Sequence, residues 1–145
     1  TMNAQGIMYF DVRTSWESTN DSGKVKKENE NYLLQAVSIS DAEAIATKEY
    51  GNSNAFSAHG ASEKKYNDVK IDSNDTSDDV LYFEVKASWE SETDSGKIKV
   101  NKELYLLQAD SVSDAEEIAI KGYGDASEFK VTGASEKKYT DVKLG

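Results

Sequence analysis

The chain lacks cysteine altogether and contains a single histidine. The absence of cysteine excludes disulfides, thiolate metal sites and cysteine nucleophiles. No apolar run approaches the roughly 18–20 residues that a membrane-spanning helix needs, and no signal-peptide pattern opens the sequence. From these absences we expect a soluble protein in the cytoplasm, without a membrane partner.

An excess of basic residues is also missing. The chain carries 27 acidic and 17 basic side chains, which gives a net charge of −10. A protein that binds duplex nucleic acid needs a basic surface along the phosphate backbone, so the composition argues against such a partner. Acidity mainly favours solubility, and it is less often a sign of nucleic-acid mimicry.

The sequence contains an internal repeat. The segment Gly60–Tyr66 (GASEKKY) returns unchanged as Gly133–Tyr139, and from Tyr9 to Asp72 the second copy follows 73 positions later without a gap. Of the 64 aligned pairs, 39 are identical. We therefore predict one small domain written twice, with repeat 1 at 7–71, an acidic linker at 72–79 and repeat 2 at 80–145. A lone domain of about 65 residues is marginally stable, so we expect the copies to pack as a pseudo-twofold pair.

Each repeat opens with a predicted hairpin. Residues Met8–Trp16 alternate between apolar and polar, which predicts a half-buried strand. Its inward face is predicted to hold Met8, Phe10, Val12, Thr14 and Trp16. The turn residues Asp21–Lys24 lead into a second strand at Lys24–Ser38. Apolar residues of both parities at Tyr32–Ala36 leave two interpretations, a strand covered on both faces or a bulge near Asn29–Asn31.

A helix is predicted after the hairpin. Ser40–Glu43 and Ser113–Glu116 have the Ser-x-x-Glu pattern of a capping box, which predicts the helix start. Helical spacing in repeat 1 forms an apolar stripe of Ala42, Ile45, Ala46 and Tyr50. Gly51 and Gly124 are predicted to follow the helix as C′ residues. One further strand and a short terminal strand complete each repeat. The predicted fold class is α+β, with two tandem ββαβ(β) repeats that each form an antiparallel sheet with one helix.

The order of these signals resembles a known family. In repeat 2 the signals are Tyr-Phe-x-Val-Lys, Gly-Lys-Ile-Lys, Glu-x-Tyr-Leu, the Ser-x-x-Glu helix start, Glu-Phe-x-Val and a closing Lys-Tyr-x-Asp-Val. This order resembles the short bacterial and phage proteins of domain of unknown function 4494. The resemblance covers each repeat nearly end to end. It implies a fold, a prokaryotic or phage origin and therefore the cytoplasm of a bacterial host cell, but no chemistry. Because a member of that family is expected to be one unit long, the tandem arrangement is a departure.

All 14 aromatic residues occur in pairs matched between the repeats. The phenylalanines are predicted core residues. Trp16 and Trp89 stand at strand ends beside turns, and Tyr66 and Tyr139 each follow two lysines. These four side chains fit either a core position or a surface that stacks a planar ligand.

The two GASEKKY segments are the best local candidates for an anion-binding site, because lysines and a serine follow a glycine. The alternative is a polar hairpin with solvated lysines, and no phosphate-loop motif is present. On the outward strand face, Arg13 and its counterpart Lys86 are further candidates. The predicted ligand-binding residues are Arg13, Trp16, Ser62, Lys64, Lys65, Tyr66, Lys86, Trp89, Ser135, Lys137, Lys138 and Tyr139.

Catalytic and metal sites are not predicted. His59 aligns with Thr132, so no histidine-based site occurs in both repeats. The paired carboxylates have no apolar surroundings of the kind that acid–base catalysis requires. The linker aspartates lack the order of a calcium loop. We therefore expect no enzyme, no metal and no cofactor.

The predicted function is non-catalytic binding of a small anionic, nucleotide-type ligand. In its concrete form, a phage protein acts as a sponge that sequesters a nucleotide immune signal. The alternative is an acidic protein–protein interaction module that inhibits a host protein. A homo-oligomer is also compatible with the sequence, because exposed sheet edges favour pairing.

Overall fold

The fold is α+β, and the computed structural model describes residues 6–75 and 77–145. Over these residues the chain forms two helices and two four-stranded sheets. The elements of repeat 1 are β1 (Tyr9–Thr19), β2 (Val25–Gln35), α1 (Ile39–Tyr50), β3 (Ser57–Lys64) and β4 (Asp68–Lys70). The elements of repeat 2 are β5 (Tyr82–Glu92), β6 (Ile98–Gln108), α2 (Val112–Tyr123), β7 (Lys130–Lys137) and β8 (Asp141–Lys143).

Each sheet takes its fourth strand from the other repeat. The strand orders are β3-β1-β2-β8 and β4-β6-β5-β7. The strands of one repeat pair antiparallel, whereas β8 runs parallel to β2 and β4 runs parallel to β6. The predicted purely antiparallel sheet is therefore wrong for the fourth strand. Parallel neighbouring strands need a crossover connection of a dozen or more residues. β2 and β8 lie far apart in the sequence, as do β4 and β6, so both pairs meet this requirement.

The compact units of the chain follow the sheets. Unit 1 comprises the chain up to Lys65 together with Tyr139–Gly145, and unit 2 comprises Tyr66–Lys138. The bounds of repeat 1 (7–71), the linker (72–79) and repeat 2 (80–145) stay a prediction. They follow the repeat in the sequence, whereas the compact units place 66–71 in unit 2 and Tyr139–Gly145 in unit 1. Thr76 of the predicted linker lies outside the described residues. The described linker residues are exposed, and Gln108 is hydrogen-bonded to both Asp72 and Asp75.

The predicted inward face of β1 is confirmed at its centre. Phe10, Val12 and Thr14 are at most 2% exposed and lie on the side of the sheet that packs against α1. The opposite face is not uniformly open, since Tyr9 and Ser15 are each only 5% exposed. The strand is therefore more completely buried than the alternation predicted.

The two interpretations of β2 are resolved in favour of a strand covered on both faces. The register between β1 and β2 runs without a shift from Tyr9↔Gln35 to Thr19↔Val25, so no bulge lies in β2. Leu34 belongs to the cluster under the helix, whereas Leu33 points to the other face and is also fully buried. A bulge occurs instead in β3, where His59 is the extra residue between Gly60 and Ala58.

Both predicted hairpin turns are confirmed. Gly23 and Gly96 each have a φ of 82°, a region that favours glycine over residues with a Cβ. In the first turn the side-chain oxygen of Asn20 accepts hydrogen bonds from the backbone N–H groups of Ser22 and Lys24. Asn20 stabilises the turn through these bonds and lies one residue before the predicted turn segment Asp21–Lys24.

Helix α1 begins earlier than predicted. Its N-cap is Ser38, whose hydroxyl accepts a 3.0 Å hydrogen bond from the backbone N–H of Asp41. The Asp41 carboxylate accepts in return from the backbone N–H of Val37. The predicted start at Ser40 is wrong because Asp41 supplies the reciprocal carboxylate, and Ser111 and Asp114 repeat this cap in α2. Gly51 ends α1 with φ −79°, so it is not a left-handed C′ residue.

The apolar stripe of α1 is confirmed. Ala42 and Ala46 are fully buried against the sheet, and Ile45 and Tyr50 pack around them. The small alanines allow the helix backbone to lie close to β1 and β2. The helix thereby covers one sheet face and leaves the candidate residues of the other face outside this core.

Candidate ligand-binding site

An exposed cation and an exposed hydroxyl lie together on the sheet face of unit 1 that points away from the helix. In the β1–β3 register Arg13 stands opposite Gly60, and Asp11 stands opposite Ser62. Arg13 and Ser62 are therefore diagonal neighbours on one face. The Nη2 and Nε atoms of Arg13 lie 3.2 and 3.3 Å from the position that a Cβ on Gly60 would take. The guanidinium thus lies close over the backbone of Gly60, and a Cβ there would require it to move by a few tenths of an ångström.

The β3 bulge lies at this point. The register shifts between Arg13 and Thr14, which leaves His59 without a direct partner on β1. A bulge interrupts the ladder of hydrogen bonds and redirects nearby side chains. Arg13 is thereby placed where the sheet is locally irregular and accessible.

Unit 2 contains a second version of this arrangement. Lys86 stands opposite Gly133, Glu84 stands opposite Ser135, and the register shifts again after Lys86. No atom lies within 4 Å of the position that a Cβ on Gly133 would take, so the Lys86 side chain does not cover this glycine. The two units share the strand register and the bulge. They differ in the cationic side chain, which covers the glycine in unit 1 but not in unit 2.

On the face that carries Arg13, and on the equivalent face of unit 2, a carboxylate accepts a hydrogen bond from a tyrosine hydroxyl. The Tyr139 hydroxyl donates to Asp11 at 3.2 Å, and the Tyr66 hydroxyl donates to Glu84 at 2.9 Å. Both tyrosines are buried, with at most 7% exposure. Their rings offer no open face to a planar ligand, so their placement argues against the predicted stacking role. The reason is that each tyrosine belongs to the unit opposite to the lysines that precede it.

The tryptophans do not join the cations either. Trp16 has the parity of Thr14 and lies on the helix side of β1, whereas Arg13 lies on the other side. The Trp16 indole N–H donates to Glu30 at 2.9 Å, and the ring is half-buried. Trp89 is likewise half-buried. The two tryptophans are therefore on the strand face opposite to Arg13 and Lys86.

The predicted lysines are partly solvated. Lys64 and Lys137 are half-buried near the strand ends, whereas Lys65 and Lys138 are exposed. Lys138 lies 3.5 Å from the Glu136 carboxylate, an ion pair between exposed groups that contributes little to stability. Of the predicted set, the register brings Arg13, Ser62 and Lys64 to one face of unit 1. It brings Lys86, Ser135 and Lys137 to the equivalent face of unit 2.

Sequence reasoning did not identify the stacked tyrosine pairs. The rings of Tyr32 and Tyr50 lie 3.8 Å apart and nearly parallel, and the Tyr50 hydroxyl donates to Asp141 at 2.8 Å. Tyr105 and Tyr123 form the same pair in unit 2, with ring centroids 3.9 Å apart. Burial, reinforced by neighbouring carboxylates, raises the pKa of Tyr32, Tyr50 and Tyr105 above its ordinary value. These phenols therefore remain protonated donors. Tyr32 and Tyr105 donate to Glu30 and Glu103 in the same strand. Tyr50 donates to Asp141 in the other repeat, an acceptor that no local spacing could have revealed.

The described residues contain no group of three or more histidine, aspartate or glutamate side chains arranged to hold a metal ion. In the same ranges, neither helix has the length and apolar character needed to cross a membrane.

Comparison with known proteins adds a family. Curated proteins and solved structures gave no match to the chain. The family match covers residues 8–142, and thus both repeats together, whereas the sequence resemblance assigned one family unit to each repeat. This chain belongs to the family described as Domain of unknown function (DUF4494).

Proposed function

We propose that this protein is a non-catalytic binding protein that captures a small anionic ligand on the sheet face carrying Arg13 and Ser62. The supporting observation is the position of the exposed Arg13 guanidinium, which extends over Gly60 at a bulge. A guanidinium presents a planar fork of N–H donors that matches phosphate or carboxylate oxygens. The Ser62 hydroxyl, diagonal to it, adds a further donor.

The second version at Lys86 and Ser135 makes the proposal a two-site one. A pseudo-twofold pairing of the repeats is part of it, since such a pair suits a ligand with its own approximate symmetry or two identical ligands. Lysine is a point charge without the fork geometry of arginine. We therefore expect the unit 1 site to bind more tightly than the unit 2 site.

Charge limits the affinity. The net charge of −10 repels an anion at long range, and Asp11 lies on the same face as Arg13. Capture then depends on short-range contacts with Arg13 and Ser62, because salt screens the long-range repulsion. A nucleoside monophosphate offers phosphate oxygens for these contacts. Sequestration of a nucleotide-type immune signal by a phage protein is the concrete version of the proposal.

Thermal shift with inorganic phosphate, AMP, cyclic AMP and a cyclic dinucleotide tests this function. A ligand at about 100 times its dissociation constant stabilises the fold by about 2.7 kcal/mol. We expect one of the nucleotides to raise the Tm, and we expect Arg13→Gln to abolish this rise. Gly60→Ala is expected to weaken it by less, because the new Cβ requires the guanidinium to move by only a few tenths of an ångström. Lys48→Gln removes an exposed helix cation and serves as the matched control.

The absence of any shift would contradict the proposal, as would a shift that persists unchanged in Arg13→Gln. If Lys48→Gln loses the rise in Tm equally, general attraction between the protein's cations and the anion causes the rise, and the proposed Arg13 site is excluded.

A second candidate is a protein-interaction module, and a specific edge favours it. Among the described strands, β8 covers β2 only at Tyr32–Leu34, and β4 covers β6 only at Tyr105–Leu107. The remaining edge of β6 carries Ile98 and Val100, which are 63% and 55% exposed. An uncovered edge with exposed apolar side chains suits a partner that adds a strand.

Salt distinguishes this candidate from the acidic-mimic alternative. A strand-adding partner in a bacterial lysate should stay bound at high salt and be lost in Val100→Lys, whereas a basic partner of an acidic mimic should dissociate as salt rises. Retention of the same partner by Val100→Lys would exclude the edge.

A further inference from the structure

Unit 2 contains an open cleft of about 410 Å³ between helix α2 and the ends of β4 and β6. Its apolar floor consists of Ile71, Ala109 and Ile118. Lys70 and Lys121 line it as cations, and Asp110 is one of the lining carboxylates. The volume lies within the range of roughly 300–1,000 Å³ that is typical of small-molecule sites.

The charged side chains that α2 contributes to the cleft are separated along the helix. Asp114 and Lys121 both line the cleft and lie about two helical turns apart, which is about 10 Å along the axis. The Asp114 carboxylate accepts from the backbone N–H of Asp110, which places Asp110 at the first end. The Lys70 Nζ atom lies 4.0 Å from the position that a Cβ on Gly122 would take, which places Lys70 beside Lys121 at the second end.

Unit 1 keeps Asp41 and Lys48 at the positions of Asp114 and Lys121, but it differs at two other positions. The counterpart of Lys70 is Lys143, whose Nζ atom lies 3.8 Å from the Glu49 carboxylate. Repeat 2 has Gly122 in place of this glutamate, and Lys70 forms no ion pair with any residue that the structure describes. The counterpart of Asp110 is Val37. The differences between two otherwise similar repeats therefore leave an unneutralised cation and an added carboxylate at this one cleft.

We propose that the cleft binds a small zwitterion with an aliphatic body, of the size of a dipeptide. Its carboxylate lies at Lys70 and Lys121, its ammonium lies at Asp110, and its aliphatic part covers the floor. The lining contains two lysines and three aspartates, so a ligand with only negative charge is disfavoured and a zwitterion is balanced. Lys121 is 3.2 Å from Glu117, but both side chains are largely exposed, so this pair exchanges readily for a ligand carboxylate.

This cleft is separate from the Arg13 face, which lies in unit 1. Loss of either binding activity leaves the other proposal intact. The ligands also differ in charge, so one set of titrations distinguishes them.

Calorimetry with the intact chain tests the ligand class through three forms of one dipeptide. Leucyl-leucine carries both charges, N-acetyl-leucyl-leucine lacks the ammonium, and leucyl-leucinamide lacks the carboxylate. We expect leucyl-leucine to bind and each capped form to bind at least about tenfold more weakly, since each loses one charged contact. No binding of leucyl-leucine, or equal binding of a capped form, overturns the proposal.

The repeat supplies matched variants. Gly122→Glu gives unit 2 the carboxylate that neutralises Lys143 in unit 1, and we expect it to weaken leucyl-leucine binding about tenfold. Glutamate is a better helix former than glycine, so this loss does not arise from unfolding. Asp110→Val, copied from Val37, should weaken binding to a similar extent. Glu49→Gly in unit 1 leaves the cleft unchanged and should bind as wild type does. Unchanged binding by Gly122→Glu excludes Lys70 as the anchor.

Discussion

The Tyr50 hydroxyl donates a 2.8 Å hydrogen bond to the Asp141 carboxylate, 91 residues further along the chain. Tyr50 ends helix α1, and Asp141 begins β8, the strand that pairs with β2. The ring of Tyr50 also stacks on Tyr32 of β2. In unit 2 the Tyr123 hydroxyl donates to Asp68 at 2.6 Å in the same way. In each unit, therefore, the last residue of the helix is hydrogen-bonded to a strand that the other repeat supplies.

Tyr50→Phe should reduce the free energy of unfolding by about 1.5–3 kcal/mol, because a hydrogen bond to a charged acceptor is lost while the ring stack is kept. A urea double-mutant cycle with Asp141→Ala measures the coupling. Once Asp141 is absent, Tyr50→Phe should cost little more. Strictly additive losses would show that the bond contributes nothing, and Tyr123→Phe with Asp68→Ala offers the same cycle in unit 2.

Alkaline pH should destabilise the protein. Burial raises the pKa of Tyr32, Tyr50 and Tyr105 above the ordinary value of 10.0, so the folded state holds these protons more tightly than the unfolded state does. Their contribution is complete below pH 10 and is lost as the pH rises beyond it. The Tm, followed by circular dichroism, should fall between about pH 10 and pH 12. Tyr50→Phe should flatten this decline, and a wild-type Tm that stays constant over the range would contradict the assignment.

Local sequence signals predicted most of the elements because short-range physics decides them. Alternation placed Phe10 and Val12 in the core, the turn chemistry required glycine at Gly23, and helical spacing buried Ala42. The cap was misplaced by two residues, since two overlapping serine patterns compete and Asp41 favours the earlier one.

The strand partners of the terminal segments could not be predicted. Asp68–Lys70 and Asp141–Lys143 have the same sequence, so neither segment distinguishes β2 from β6 as its neighbour. That choice separated Tyr66 and Tyr139 from the lysines beside them in sequence and buried both rings. The cleft of unit 2 was missed for the opposite reason. The cleft is marked by positions at which the two repeats differ, such as Glu49 and its counterpart Gly122. The prediction of site residues relied instead on positions at which the repeats are the same.

Ala55→Gly should stabilise the protein by about 1 kcal/mol. Ala55 has a φ of 54°, a left-handed conformation that costs an L-residue roughly 1–2 kcal/mol and glycine almost nothing. Glu128 has a φ of 56° at the equivalent position, so Glu128→Gly should act alike. Asn54→Gly, at a neighbouring position without a positive φ, should destabilise slightly. Chemical denaturation measures all three, and a loss of stability in Ala55→Gly would show that the side chain contributes more than the strain costs.

Val142→Asp should unfold unit 1 although the substitution lies in repeat 2. Val142 is 7% exposed and pairs with Leu33 of β2, so a buried unpaired carboxylate there detaches β8. Hydrogen exchange should show lost protection in β1 and β2 while β5 and β6 keep theirs. Val69→Asp is the reciprocal control, because Val69 pairs with Leu106 and its change should release β5 and β6 instead. If each substitution affects mainly its own repeat, the exchange of terminal strands does not hold in solution.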